Sequence, residues 1–267
     1  MALPKFRWTN CNLQIEPSQV LDQEKLKEAF DSESFFASAS FDKAVISWFT
    51  ALREEKGFKL LEVKYGEYSW LETPRARSAR VPKPYHGAII GKFRLPRPPI
   101  YVPFVGTTES NLSDKFAFRL SSRRGVMQVS GNPEHIEAAY EYALQMIPGQ
   151  IRSLYSPTIQ IRERVILVNA TVYLPFALRH GTEYFSDFMG SHENIRFIAN
   201  NAQWENVISY VKFETEEVTG VVYHSGTVNL CGKTFESVET VISLVHELGA
   251  EFQKERAHLC KPRAPGP

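Results

Sequence analysis

The sequence predicts an α+β fold of two equivalent halves, each ending in a strand, a glycine and an amphipathic helix. The first observation is a pattern that occurs twice. Gly125-Val-Met-Gln-Val-Ser-Gly131 and Gly226-Thr-Val-Asn-Leu-Cys-Gly232 each run into a helical stretch, and Gly131 and Gly232 stand 101 residues apart. The second is the alternation within each copy. Successive strand residues face opposite sides, so Met127 and Val129, like Val228 and Leu230, are expected to face helices. Gln128 and Ser130, like Asn229 and Cys231, then face a side with small, uncharged polar groups. The third is the pair of helices. Ile136, Ala139, Tyr140, Ala143 and Ile147 form one apolar face over 133–147, and Val238, Val241, Ile242, Val245 and Leu248 form another over 235–255.

The remaining elements follow in order. Residues 6–16 alternate as a strand that Pro17 and Ser18 end, and 20–30 has helical spacing through Leu21, Leu26 and Phe30. A helix is expected over Asp42–Lys56, where Ala44, Val45, Trp48, Phe49 and Leu52 form a stripe and Gly57 marks the stop. Strands are expected at 59–65, 68–71, 87–93 and 115–121. Seven of the 16 prolines lie between Pro74 and Pro103, so that region reads as loops around the 87–93 strand. The hairpin Ser122-Arg-Arg-Gly125 leads into the strand at 126–130. The second half restarts near Ile159, with strands at 165–174, 195–199, 207–214, 219–224 and 227–231 and a short helix within 177–189. The domain reading is therefore a first repeat at 1–150, with an insertion at 31–84 and a long loop at 94–115. A second repeat follows at 151–255, and 256–267 is expected to be a disordered tail.

Composition narrows the functional classes. With 43% hydrophobic and 23% charged residues among 267, the chain has the makeup of a globular protein able to bury a core. No apolar run approaches the ~18 residues of a membrane span, so no membrane partner is expected. Cys11, Cys231 and Cys260 are too few and too far apart for a disulfide framework, and suit a reducing compartment. The net charge of +1 hides an asymmetry: residues 75–124 carry eleven Lys or Arg against Glu109 and Asp114, a local excess of nine positive charges. Such a patch is the footprint of a phosphate-binding surface. Glycine-rich phosphate loops, His-x-x-x-His pairs and nucleophile elbows are all lacking. No enzymatic activity, cofactor or metal is expected, and the acidic run Glu214, Glu216 and Glu217 reads as a solvated turn.

At this point the chain resembles the TATA-binding protein (TBP) family. Val221-Val-Tyr-His-Ser-Gly-Thr-Val-Asn-Leu-Cys-Gly-Lys233 is similar to the family's most recognisable stretch, and Leu120-Ser-Ser-Arg-Arg-Gly-Val-Met-Gln-Val-Ser-Gly131 matches it more loosely. Thr9-Asn-Cys-Asn-Leu-Gln-Ile15 and Val172-Tyr-Leu-Pro-Phe-Ala-Leu178 resemble stretches at the start of the family's two repeats. The resemblance spans about residues 6–252, and the first-half insertion is most like that of versions encoded by large DNA viruses. It implies a saddle of two pseudo-symmetric β-α-β-β-β-β-α repeats, forming one curved antiparallel sheet with helices on the convex face. It also implies a transcription initiation factor that binds A·T-rich double-stranded DNA in the minor groove. Its implied partners are a TFIIB-like factor and RNA polymerase, in the nucleus or a cytoplasmic viral factory.

The implied DNA-binding residues come from matching positions. Asn10 takes the central asparagine's place, with Asn12 beside it; Val165 or Asn169 stands for the second. Leu120, Gln128, Ser130, Val221, Asn229 and Cys231 occupy the family's groove-facing positions. The wedges that unstack base steps fall to Tyr223 and Trp204 in the second repeat. In the first they fall to His86 (or Tyr85) and Ser122, unless the 94–115 loop supplies Phe104. Phosphate contacts fall to Lys92, Arg94, Arg97, Arg123 and Arg124, and to Lys212 and Lys233 in the second repeat. The alternative is a TBP-fold scaffold for protein–protein assembly that has lost specific DNA binding; a more distant reading is an accessory domain of a nucleic-acid enzyme.

Overall fold

A computed structural model describes residues 6–19, 21–32, 43, 50–51, 60–66, 68–71, 85–94, 115–200 and 208–263. The chain divides into two compact units, Asn12–Arg164 and Met1–Cys11 with Val165–Pro267.

β1 (Phe6–Ile15) is divided between the units, with its residues 12–15 in the Asn12–Arg164 unit. The main further elements of that unit are α1 (Gln23–Ser32), β2 (Leu60–Gly66), β3 (Tyr68–Leu71), β4 (Tyr85–Arg94), β5 (Lys115–Ser121), β6 (Met127–Gly131) and α2 (Ile136–Gln145). The strand order is β3-β2-β4-β5-β6-β1. The other unit holds β7 (Val165–Tyr173), β8 (Phe176–Leu178), α3 (Glu183–Gly190), β9 (Ile195–Asn200), β10 (Ile208–Phe213), β11 (Val218–Tyr223), β12 (Thr227–Gly232), α4 (Phe235–Glu255) and β13 (Cys260–Pro262). Its strand order is β7-β12-β11-β10-β9. The two orders coincide once β3 is recognised as an added edge strand: β1, β6, β5, β4 and β2 correspond to β7, β12, β11, β10 and β9. All registered pairs are antiparallel. The α+β fold and the β-α-β-β-β-β-α order implied by the resemblance are therefore those of the chain.

The repeated glycines have a packing cause. A Cβ on Gly131 would lie 2.2 Å from Cδ1 of Phe116, and one on Gly232 would lie 2.9 Å from Cγ2 of Val218 and 2.7 Å from Cγ2 of Val238. In each unit, then, the strand ends where a neighbouring side chain crosses directly over its backbone. Gly125 and Gly226 have φ of 66° and 77°, the left-handed conformation their turns require.

The inward faces of the strands form the cores. Phe116, Phe118, Leu120, Met127 and Val129 are buried in one unit, and Val168, Ala170, Val172, Val211, Val218, Val222, Val228 and Leu230 in the other. Their helix cover comes from the apolar faces read in the sequence. Ile136, Ala139, Tyr140 and Ala143 of α2, and Val238, Val241, Ile242, Val245 and Leu248 of α4, are all buried. Phe176, Phe185, Phe188 and Phe252 stack edge-on or face-on at 5.1–6.2 Å between centroids. Thr234 caps α4 by accepting the Ser237 N–H at 3.1 Å. Cys11 is fully buried, and that burial pushes its thiol up to about 12.

One expectation changes. The tail is ordered through Arg263: β13 pairs with β8, and Arg179 N–H donates to the Leu259 carbonyl at 2.8 Å. Arg263 donates to the carbonyls of Leu174 and Gly226 at 3.2 and 3.3 Å and lies 4.9 Å from the centre of the Tyr173 ring. The helix expected over Asp42–Lys56 lies, apart from 43 and 50–51, outside the described residues.

Candidate nucleic-acid interface

Side chains between the inward-facing ones point to the side of each sheet away from its helices. In the Val165–Pro267 unit that side is built in rows. Asn229 stands between Thr171 on β7 and Val221 on β11, and Val221 faces Tyr210 on β10. Cys231 stands between Asn169 and Thr219, and Thr219 faces Lys212. Thr171 Oγ1 donates to Asn229 Oδ1 at 2.9 Å, and Asn229 Nδ2 donates to Tyr223 Oη at 3.4 Å. These bonds fix the amide's orientation on an exposed face. Asn169 Oδ1 is buried with no hydrogen-bond partner among the described residues.

The other unit repeats the arrangement. Gln128 corresponds to Asn229, both lying three residues before the terminal glycine, and Gln128 Nε2 donates to Gln14 Oε1 on β1 at 3.1 Å. Asn10, Asn12 and Gln14 alternate with buried Cys11, Leu13 and Ile15. Ser130 faces Ala117, and Gln128 faces Arg119. Each unit thus presents an amide bonded to the next strand, beside Arg119 in one and beside Val221 in the other. Gln14, Thr171 and Tyr210 belong to this face and were missed. Alternation finds the first two, each two residues beyond a named asparagine.

The structure places several expected contact residues in the core or in ion pairs. Leu120 is 1% exposed and points into the core, because its partner Met127 is on the helix side. Ser122 is 2% exposed. It is also not the counterpart of Tyr223: pairing Leu120 with Met127 and Val222 with Val228 makes Ser121 that counterpart, since the first hairpin is one residue longer. Lys92 is held by Glu62, whose carboxylate lies 2.5 Å from both Lys92 Nζ and Lys64 Nζ. Burial alone would raise the Glu62 carboxyl, but hydrogen bonds and charge from Lys64 and Lys92 outweigh it and hold the group below its ordinary value. Lys233 pairs with Glu217 at 2.6 Å, both well exposed, a contact of small energetic weight.

Val221 and Tyr223 are half-buried on the helix-free side, and Arg123 and Arg124 are exposed at the first hairpin with their N–H groups 3.4 Å from Ser121 Oγ. Arg94 is exposed at the end of β4 opposite Lys115, and His86 lies in the same strand. Arg97, Phe104 and Trp204 lie outside the described residues. Among the described residues no group of three or more His, Cys, Asp or Glu is placed to hold a metal ion. No described helix is long and apolar enough to cross a membrane.

No protein-family model and no curated protein matches the chain. Among solved structures it is similar to Methanococcus jannaschii TBP, at 14% identity and a TM-score of 0.46, over 93% of this chain and 99% of that one.

Proposed function

We propose that the chain is a non-catalytic, TBP-like transcription initiation factor that binds the minor groove of A·T-rich duplex DNA. The observation that carries this reading is the twofold ladder on the helix-free side, Gln128 with Gln14 and Asn229 with Thr171. Minor-groove edges of A·T pairs offer only acceptors, and a G·C pair adds one donor. A face of oriented amides, hydroxyls and small side chains suits that sparse pattern. Tyr223 supplies an apolar ring beside the second ladder for insertion at a base step. The helix side is the surface for a TFIIB-like factor and RNA polymerase.

The test is binding to a fluorescent A·T-rich duplex at two salt concentrations beside a G·C-rich control. Sub-micromolar, A·T-preferring and salt-weakened binding is expected; no binding at low salt would sink the proposal for the isolated protein. The second reading, a TBP-fold protein scaffold, is favoured by two observations in the first repeat: a serine, Ser121, at the place of Tyr223, and the Lys92 ammonium paired with Glu62.

A further inference from the structure

The two units differ in charge at one and the same sheet row, which pairs a cation with a carboxylate in one and two cations in the other. In one, the row runs Ser130, Ala117, Lys92, Glu62; in the other it runs Cys231, Thr219, Lys212, Arg196. Lys92 and Lys212 are therefore equivalent, as are Glu62 and Arg196. Phe93, the neighbour of Lys92, packs against Tyr142 at 5.3 Å between ring centres, which sets Phe93 on the helix side and Lys92 on the opposite one.

We propose that Glu62 occupies the place of a nucleic-acid phosphate between Lys64 and Lys92, so that this row contacts a DNA backbone only through Lys212 and Arg196. The inference rests on the DNA-binding reading and adds an asymmetry to it. A carboxylate oxygen 2.5 Å from each ammonium satisfies both cations as a phosphate oxygen would. Glu62 is 3% exposed, so its carboxylate is enclosed where it meets the two ammoniums. Removing its partners would leave a buried charge uncompensated. The carboxylates near the other row differ. Glu214 lies 3.3 Å from Arg196 and Glu217 pairs with Lys233, but both are well exposed and a phosphate can displace them. Lys92 is thus held by an enclosed carboxylate in one unit, whereas the carboxylates beside the equivalent row pair with Arg196 and Lys233 and are exchangeable.

The test is the salt dependence of binding to the A·T-rich duplex, followed by fluorescence anisotropy in the full chain. Each phosphate contact contributes about −0.9 to the slope of log K against log salt. Glu62→Gln is expected to bind more tightly, with a slope steeper by about 0.9. Lys92→Gln is expected to destabilise the fold but leave the salt slope of the wild-type background unchanged, and to abolish the steeper slope in the Glu62→Gln background, where no buried carboxylate is left unpaired. Lys212→Gln is expected to make the wild-type slope shallower by about 0.9. An unchanged slope for Glu62→Gln, with wild-type binding intact, overturns this proposal and leaves the DNA reading standing. If neither wild type nor Glu62→Gln binds duplex at low salt, both fall. Should Glu62→Gln fail to fold, the Lys92→Gln single variant decides: a shallower slope means that Lys92 already meets a phosphate, and the proposal is wrong.

Discussion

At the scale of single residues, the recognition face is defined by a few oriented polar groups and one ring. Asn229 is held between Thr171 and Tyr223, so Asn229→Ala removes a positioned amide without disturbing the core. Loss of one well-placed groove contact is expected to weaken binding by about 1–3 kcal/mol on A·T sites and less on G·C sites, measured by titration. Tyr223→Ala should reduce DNA bending, read by energy transfer between end-labelled duplex termini; unchanged bending removes Tyr223 from the wedge role. Glu62 also makes an acid-sensitivity prediction. Its folded pKa is lowered, so its contribution to stability is present above the unfolded value of 4.5 and is lost as pH falls through the folded one. The denaturation midpoints of wild type and Glu62→Gln should therefore converge in acid, and a constant difference between pH 7 and pH 3 would contradict the ion-pair geometry.

At the scale of elements, the turns and caps carry the architecture. A Cβ at Gly226 would lie 1.8 Å from the Phe176 carbonyl oxygen, and the residue has a left-handed φ. Gly226→Ala is expected to cost roughly 2–4 kcal/mol in chemical denaturation, from strain and overpacking together. Thr234→Ala should cost about 1 kcal/mol through the lost cap of α4. These glycines, the α4 and α2 faces and most strands were legible because they rest on local periodicity and turn chemistry. Three things were not. Glu62 faces Lys92 only through a pairing of strands 30 residues apart, which no local pattern announces. Leu120 was placed by matching it to a motif, whereas its register with Met127 turns it inward. The order of the tail depends on Arg263 reaching carbonyls on β7's continuation and the Gly226 turn, a tertiary contact with no sequence signature.

At the scale of the whole molecule, duplication supplies two similar faces with different charge. Arg123 and Arg124 are exposed in one unit, where the corresponding turn of the other has Ser225. Reversing both to Glu should weaken duplex binding on every sequence and flatten its salt dependence, whereas an effect confined to A·T sites would argue for base contact. Selectivity and affinity are therefore expected to respond to different variants: the ladders set the first, the cations the second.

The packing between β4 and β5 holds a record of how the halves diverged. Gly91 faces Phe118 in one unit, with a Cβ on Gly91 falling 2.4 Å from the Phe118 ring. At the equivalent place in the other, Val211 faces Gly220, with a Cβ there falling 2.8 Å from the valine. The bulky partner has changed strands. If the two pairs descend from one, an intermediate passed through either two glycines and a void or two large side chains and a clash. A chimera that exchanges β4 alone would recreate one of those states, while exchange of β4 and β5 together keeps each pair matched. The halves are thus interchangeable as units of heredity only in blocks that keep facing strands together.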